Sequence, residues 1–423
     1  MKRLKETITL FFIIFNFISC SSAPVKYSDS EIIPNDFFGL VHAGKLIDHY
    51  PLLDELGSVW FLQTFYWNDI EPVQGEFDFK LYDNFVNLAK ENGKKVIAVM
   101  GYSTSWTSDK GRYISKENIP YFLNYLETTV NRYKGFVDAW QIWNEPNHIF
   151  WKGTDSEFFE LSRLSAQRIR ETDPDAYIIG GGMLRTPVQF IKGMHKSGAF
   201  ENLDAISFHP YAINPYWSMK HYDNFIDTIL KLNFKGEIWI TEIGYPTGGL
   251  YPTRVSIEKL SSYVIKTIIG SVSRGARTLF WYQFTDPHNE GEYPNKNNSE
   301  HYFGLTYPDG TKKSGAFAYE LCARYLPGSR YTPLLPVKEN IPHNIVSFCF
   351  MDGALGNTLI IWNDIDIKQK IKISLASSFN RHNISTGENN SFSQEIILDI
   401  TDKPVFITWQ GAAAPRISKV RVN

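Results

Sequence analysis

Apolar and polar positions alternate along this chain in two rhythms, and the rhythm changes once. From residue 36 to about 326, short apolar runs are separated by segments with apolar residues on one helical face. The runs predict strands at 36–43 (DFFGLVHA), 57–66 (GSVWFLQTFY), 94–101 (KKVIAVMG) and 137–145 (VDAWQIWNE). Four more follow at 176–182 (AYIIGGG), 203–211 (LDAISFHPY), 236–243 (GEIWITEI) and 276–284 (ARTLFWYQF). Between them, 79–92 places Tyr82, Phe85, Val86 and Ala89 at i, i+3, i+4 and i+7, and 255–272 repeats the stripe with Leu260, Val264, Thr267, Ile268 and Val272. That spacing predicts helices packed by one face. Strands alternating with helices predict a parallel sheet. Eight such units in roughly 290 residues fit a closed α/β barrel, the (β/α)₈ TIM architecture. An open doubly wound sheet would carry a Gly-rich phosphate loop after its first strand, and none stands there.

After Leu326-Pro327-Gly328 the helical rhythm is lost. Strand-like runs recur at 345–351, 358–363, 370–375, 395–400 and 404–409, separated by Asn, Asp, Gly and Ser. These predict a small all-β sandwich. The expected organisation is therefore a barrel over 36–326 and a β-sandwich domain over 327–423.

Composition sharpens this picture in two places. The chain has 423 residues and 43% hydrophobic content, enough for two cores of unequal size. A net charge of −2 gives no electrostatic reason to expect nucleic acid as a partner. Aromatic residues make up 15%, with 11 Trp, 23 Tyr and 30 Phe. Flat apolar rings suit the C–H faces of sugars, and they suit large cores equally well.

The first residues read as a targeting segment. Lys2, Arg3 and Lys5 precede an apolar run from Ile8 to Ile18, too short to span a bilayer and suited to a signal-peptide core. It ends in Phe17-Ile18-Ser19-Cys20. The expectation is a signal peptide over 1–19, a lipidated Cys20 and a flexible tether through residue 35, which would anchor the protein to a membrane of the bacterial cell envelope. Phe17 stands where a lipobox usually has Leu. The other two cysteines, Cys322 and Cys349, fall on a predicted helix and a predicted strand with no metal-ligand spacing, and are expected as buried thiols.

Two carboxylates close predicted strands. Glu145 sits in Trp143-Asn144-Glu145-Pro146-Asn147 at the fourth, and Glu242 in Ile240-Thr241-Glu242-Ile243-Gly244-Tyr245-Pro246 at the seventh. In a TIM barrel the C-terminal strand ends form the catalytic face. Cleaving a glycosidic bond takes one group that protonates the leaving oxygen and another that traps the oxocarbenium-like carbon. Two carboxyls held together cannot both ionise cheaply, so one is kept protonated near neutrality.

These segments resemble the retaining glycoside hydrolases of clan A, whose mark is Asn-Glu-Pro at strand four and Glu at strand seven. Within the clan the likeness is nearest to family 39 and its polysaccharide-cleaving relatives. Supporting motifs are Trp67-Asn68-Asp69-Ile70-Glu71-Pro72 after strand two and His209-Pro210-Tyr211 at strand six, in the order the family has them. The resemblance covers 36–326. It implies Glu145 as acid/base, Glu242 as nucleophile, Asn144 on the sugar 2-hydroxyl, His209 and Tyr211 as the strand-six pair, and Trp281 beneath the sugar. It implies no metal and no organic cofactor. Many clan members carry Arg on strand two where this chain has Leu62 beside Gln63, so either another cation serves the nucleophile or the sugar site differs.

Each residue also has a structural explanation. Glu145 and Glu242 could be scaffold ion pairs, Asn144 a loop cap, His209 a bonded barrel histidine, and Trp143 and Trp281 packing. Glu71 reads as structural, beside a turn with Pro72 and Gly75. His42, ending strand one, is directed toward the sugar site. Trp106, Phe150, Trp151, Tyr216, Trp217 and Tyr251 lie in loops after strands, where exposed rings suggest stacking platforms or simple loop anchors. The favoured function is hydrolysis of an oligo- or polysaccharide. A non-catalytic surface glycan-binding lipoprotein and a transglycosylase are the alternatives.

Overall fold

The computed structural model describes residues 32–42, 50–107, 111–250, 252, 254–287, 295–333, 335–365 and 367–420. The expected signal peptide, Cys20 and Tyr251 lie outside these residues.

Eight parallel strands close into a barrel: β1 (Phe38–Val41), β2 (Trp60–Tyr66), β3 (Lys95–Gly101), β4 (Ala139–Ile142), β5 (Ile178–Leu184), β6 (Ala205–His209), β7 (Glu237–Ile243) and β8 (Ala276–Trp281). Closure is direct, with Phe38, Gly39 and Leu40 of β1 in register with Leu279, Phe280 and Trp281 of β8. The helices are α1 (Tyr50–Glu55), α2 (Trp67–Ile70), α3 (Lys80–Glu91), α4 (Ile119–Tyr133), α5 (Asp155–Thr172), α6 (Val188–Lys196), α7 (Pro215–Lys231), α8 (Ile257–Val272) and α9 (Ser314–Tyr325). α3 buries Tyr82, Phe85, Val86 and Ala89, the stripe seen in the sequence.

Successive strand residues point to opposite faces, which sorts the barrel side chains into two apolar layers. Val41, Trp60, Leu62, Ile97, Val99, Ala139, Ile179, Ala205, Trp239 and Phe280 fill the interior. Their neighbours, among them Phe61, Phe65, Trp140, Ile206, Ile240 and Trp281, pack outward against the helices. The interior is thus a packed core, and functional side chains of such a barrel are carried by the strand ends.

The described residues of the C-terminal region form ten strands: β9 (Arg330–Tyr331), β10 (Val337–Glu339), β11 (Ile345–Gly353), β12 (Gly356–Asn363), β13 (Gln369–Ser374), β14 (Phe379–His382), β15 (Asn389–Phe392), β16 (Glu395–Ile400), β17 (Val405–Trp409) and β18 (Arg416–Lys419). They form a six-stranded sheet, β15-β14-β17-β12-β11-β9, and a four-stranded sheet, β10-β18-β13-β16. Leu359 and Ile361 of β12 face the second sheet with Ile371, Ile373 and Ile417. Ile360 and Trp362 of the same strand join the outer barrel layer. β12 is thus buried on both faces, which explains an apolar run without alternation. Cys322 and Cys349 are free buried thiols in different cores.

The expected tether is too long at its distal end. Ile33 is buried, its N–H donates to the Ser329 carbonyl at 2.8 Å, and Ile32 bridges Arg330. Ile32 and Ile33 are therefore pinned to the segment joining barrel and sheets, by backbone hydrogen bonds on both and by burial of the Ile33 side chain, while Ile32 stays exposed.

Candidate active site

β4 ends at Ile142, and the chain turns through Trp143 (φ 67°) and Glu145 (φ 46°), left-handed conformations that cost a side-chain-bearing residue energy. Hydrogen bonds hold the turn. Trp143 N–H donates to Met100 O (3.0 Å), the Trp143 indole to Phe150 O (2.8 Å), Gln141 Nε2 to Trp143 O (3.0 Å) and Glu145 N–H to Gly182 O (2.8 Å). A Cβ on Gly182 would lie 2.6 Å from Gln141 Nε2, so only glycine lets β5 approach this closely. The result is a Glu145 side chain that is buried yet carried to the barrel mouth.

Glu242 reaches the same place by a bulge. In strict alternation Ile240 faces out, Thr241 in and Glu242 out. The β7–β8 register shifts between Ile240 and Ile243, and Ile243 packs outward again with Ile240. One extra residue re-aims Glu242 inward, as bulges beside active sites do. Gly244 permits the close approach, since a Cβ there would meet the Tyr282 carbonyl at 1.8 Å.

The two carboxylates meet around His209. Its Nδ1 lies 3.0 Å from Glu145 Oε1 and 4.0 Å from Glu242 Oε2, and donor atoms of all three residues fall within 4.8 Å of one another. The Tyr211 hydroxyl donates to Glu242 Oε1 at 2.8 Å. His148 Nδ1 stands 3.8 Å from Glu145 Oε2. Burial raises the Glu242 carboxyl to about 7; the His209 charge and the Tyr211 hydroxyl oppose the rise, and the charges of Glu145 and Glu300 add to it. For His209, burial pulls downward, but Glu242 and Glu145 outweigh it and hold the imidazole above its ordinary 6.5. His209 is thus held toward its charged form by the two carboxylates, and Glu242 toward its neutral form by burial. Among the described residues these three are the one group placed to hold a cation. Glu145 Oε1 is already engaged by Nδ1, so its internal bonding suits proton transfer better than ligation.

β2 supplies no cation here: Leu62 packs into the barrel interior and Gln63 donates to Thr64 O. His209, on β6, is the basic group that lies beside both carboxylates, 3.0 Å from Glu145 Oε1 and 4.0 Å from Glu242 Oε2.

The other expected site residues separate into two groups. Asn144 is half-buried beside Glu145, with its side chain in hydrogen-bonding reach of the Tyr102 phenol. His42 (φ 59°) is exposed at the end of β1, its ring 5.5 Å from that of Tyr282. Trp281, by contrast, is fully buried on the outward face of β8 against Tyr245. The expectation that it underlies the sugar is corrected: Phe280 and Tyr282 face the axis, and Trp281 has the opposite parity. Trp151 is also core, its indole bonded to Thr154 O at the start of α5 and its ring against Trp143 and Phe158. Trp106 donates to Glu71 O and packs on Trp67, anchoring the loop after β3. Glu71 accepts from the Trp67 indole and Gly75 N–H, a structural carboxylate as expected. Tyr216 and Trp217 are exposed at the start of α7, and Phe150 stacks with Tyr102.

Sequence reading missed Tyr282 and Glu300. Tyr282 OH donates to Glu300 Oε2 at 2.7 Å, and its ring packs on Phe303, which in turn contacts Tyr211. Strand parity could have revealed Tyr282, but the uniformly aromatic run FWYQF hides it.

A (β/α)₈ barrel with carboxylates at the ends of β4 and β7 is the architecture of clan A glycoside hydrolases, and comparison with known proteins agrees. The model of glycosyl hydrolase family 10, a clan A family, matches residues 51–160. The chain is similar to endo-1,4-beta-xylanase A of Phanerodontia chrysosporium, 28% identical over 152 residues, covering 31% of this chain and 36% of that one. It thus spans about a third of that relative's length. Among solved structures, a family 39 glycoside hydrolase from Bacteroides cellulosilyticus aligns with a TM-score of 0.71 at 18% identity, covering 89% of this chain and 82% of the other. A family 39 beta-xylosidase from Caulobacter crescentus aligns at 0.67 with 15% identity, covering 92% and 98%. The fold is that of these barrels together with their β-rich companion region.

Proposed function

We propose that this protein is a retaining glycoside hydrolase cleaving O-glycosidic bonds in an oligo- or polysaccharide. The observation that carries this is the spacing of Glu145 and Glu242, whose oxygens lie within 4.8 Å. Retaining enzymes hold their carboxyls about 5–5.5 Å apart, whereas inverting enzymes need roughly 6.5–9.5 Å to admit a water. Glu145, protonated, gives its proton to the glycosidic oxygen as the C–O bond breaks, and Glu242 forms an ester to the anomeric carbon. Glu145, now ionised, takes a proton from water, whose oxygen attacks that carbon and releases Glu242. His209 supplies positive charge beside both carboxyls, and Tyr211 directs Glu242 through its hydroxyl. The named relatives make β-linked xylose polymers the first substrates to try. The N-terminal pattern supports a cell-envelope location through a lipid on Cys20, which would hold the barrel near polymeric glycans.

The test is covalent trapping. Incubation with 2,4-dinitrophenyl 2-deoxy-2-fluoro-glycosides of xylose and glucose, followed by peptide mass spectrometry, is expected to find the sugar on Glu242. A sugar on Glu145 would reverse the two roles. Turnover of glycan substrates without a trapped ester and with inverted product would refute the double displacement.

A further inference from the structure

The loop after β8 brings a third carboxylate to this site. Glu300 lies in a 3₁₀ turn, Ser299–Tyr302, capped by Asn298, whose side chain accepts from Glu300 N–H at 3.1 Å. The turn is fastened from beneath. Thr247 N–H and Lys313 Nζ both reach the Tyr302 carbonyl (2.9 and 3.5 Å), and Gln283 Nε2 reaches the Glu300 carbonyl (3.4 Å). Lys313 itself is buried against Asp286, which also accepts from Gly304 N–H. A deeply buried ion pair is costly to break on one side, so it holds the loop in one place.

Held in this way, Glu300 uses Oε2 to accept from Tyr282 OH. Among the described residues nothing donates to Oε1, and the side chain is exposed. The Tyr282 ring joins it to the catalytic pair through Phe303, Tyr211 and Glu242. The charge of Glu300 is felt at Glu242, and Tyr282 feels Glu242, Glu300 and Glu145 together. Tyr282 therefore stays a phenol, and as a permanent donor it orients Glu300 with one acceptor oxygen toward the open rim.

Accepting the hydrolase proposal above, we infer that Glu300 is a specificity-determining residue, accepting a hydroxyl of the bound sugar and excluding uronic acids. Glu300 adds a carboxyl from the β8 loop to those of β4 and β7, and among the described residues the basic side chain between the latter two is His209, already engaged by Glu145. Sugar hydroxyls are donors and find an acceptor at Oε1. A sugar carboxylate adds a like charge within reach of Glu300. Repulsion of unit charges ~5 Å apart at an effective dielectric near 20, reduced by solvent at the rim, corresponds to a 10- to 100-fold penalty in kcat/KM.

The test uses the full chain with a panel of p-nitrophenyl neutral glycosides and uronides. Wild-type protein is expected to favour a neutral sugar over its matched uronide by 10-fold or more. Glu300→Gln, which retains an acceptor for Tyr282, is expected to lower kcat/KM on the neutral sugar and shrink that ratio at least severalfold. An unchanged ratio, or a wild-type preference for uronides, would overturn the inference. A second readout is independent of turnover: ¹³C NMR titration of Glu242 in glutamate-labelled protein, with Glu242→Gln assigning the signal. Removing the Glu300 charge is expected to move the Glu242 titration to lower pH, with His209, Tyr211, Tyr282 and Glu145 unchanged around it. A titration that does not move overturns the inference. Lack of activity on every glycoside, with the titration still moving, would instead count against the hydrolase proposal.

Discussion

Tyr211→Phe isolates one hydrogen bond to Glu242, the proposed nucleophile, without disturbing the barrel. The phenol donates to Glu242 Oε1 at 2.8 Å, and this bond lowers a carboxyl that burial raises to about 7. A hydrogen bond to a charged group contributes about 1.5–3 kcal/mol, and one pKa unit is about 1.4 kcal/mol, so its loss should raise Glu242 by about 1–2 units. The sign follows from the reacting form. A nucleophile must be ionised, so raising its pKa moves the acid limb of kcat/KM to higher pH. From half ionised at pH 7, the active fraction falls to roughly 1–9%, a loss of about 5- to 50-fold that is regained as pH rises. The assay is a pH profile of kcat/KM on a p-nitrophenyl glycoside, with circular dichroism confirming the fold. A uniform loss at all pH values, with the limb unmoved, would refute the view that Tyr211 acts by holding Glu242 ionised.

Other expectations follow from the same contacts. Glu145→Ala should lose about 10²–10⁴-fold on substrates with poor leaving groups and far less on dinitrophenyl glycosides. Azide should partly rescue it with retention, whereas Glu242→Ala with azide should give the opposite anomer by NMR; a shared anomer would refute the assignment of acid and nucleophile. Lys313→Met strands the Asp286 carboxyl in the interior and should cost about 3–5 kcal/mol in urea unfolding; a loss below about 1 kcal/mol would mean that Asp286 finds another partner. Cys20→Ser should release the protein from membrane fractions with activity on soluble substrates intact, and unchanged partitioning would dismiss the lipid anchor.

Much of this molecule follows from local pattern alone. The stripe Tyr82, Phe85, Val86, Ala89 forms α3 because any helix with that spacing has one apolar face, and the eight apolar runs form strands for want of any competing periodicity. Glu145 and Glu242 were legible because their motifs put them at strand ends, and in a parallel barrel all such ends share one rim. Side-chain direction was not legible where sequence does not alternate. In FWYQF all positions look alike, and only the closed barrel sends Phe280 and Tyr282 to the axis and Trp281 to the helices. Glu242 is the sharper case. Counted along β7 it faces outward, and the β7–β8 register shift, a property of two strands together, turns it inward. Glu300 carried no local signal, since its place depends on a buried Lys313–Asp286 pair 27 residues apart and on Tyr282 18 residues away. Contacts between residues distant in sequence are decided by packing and closure, and there the tertiary structure alone decides which carboxylates share the rim.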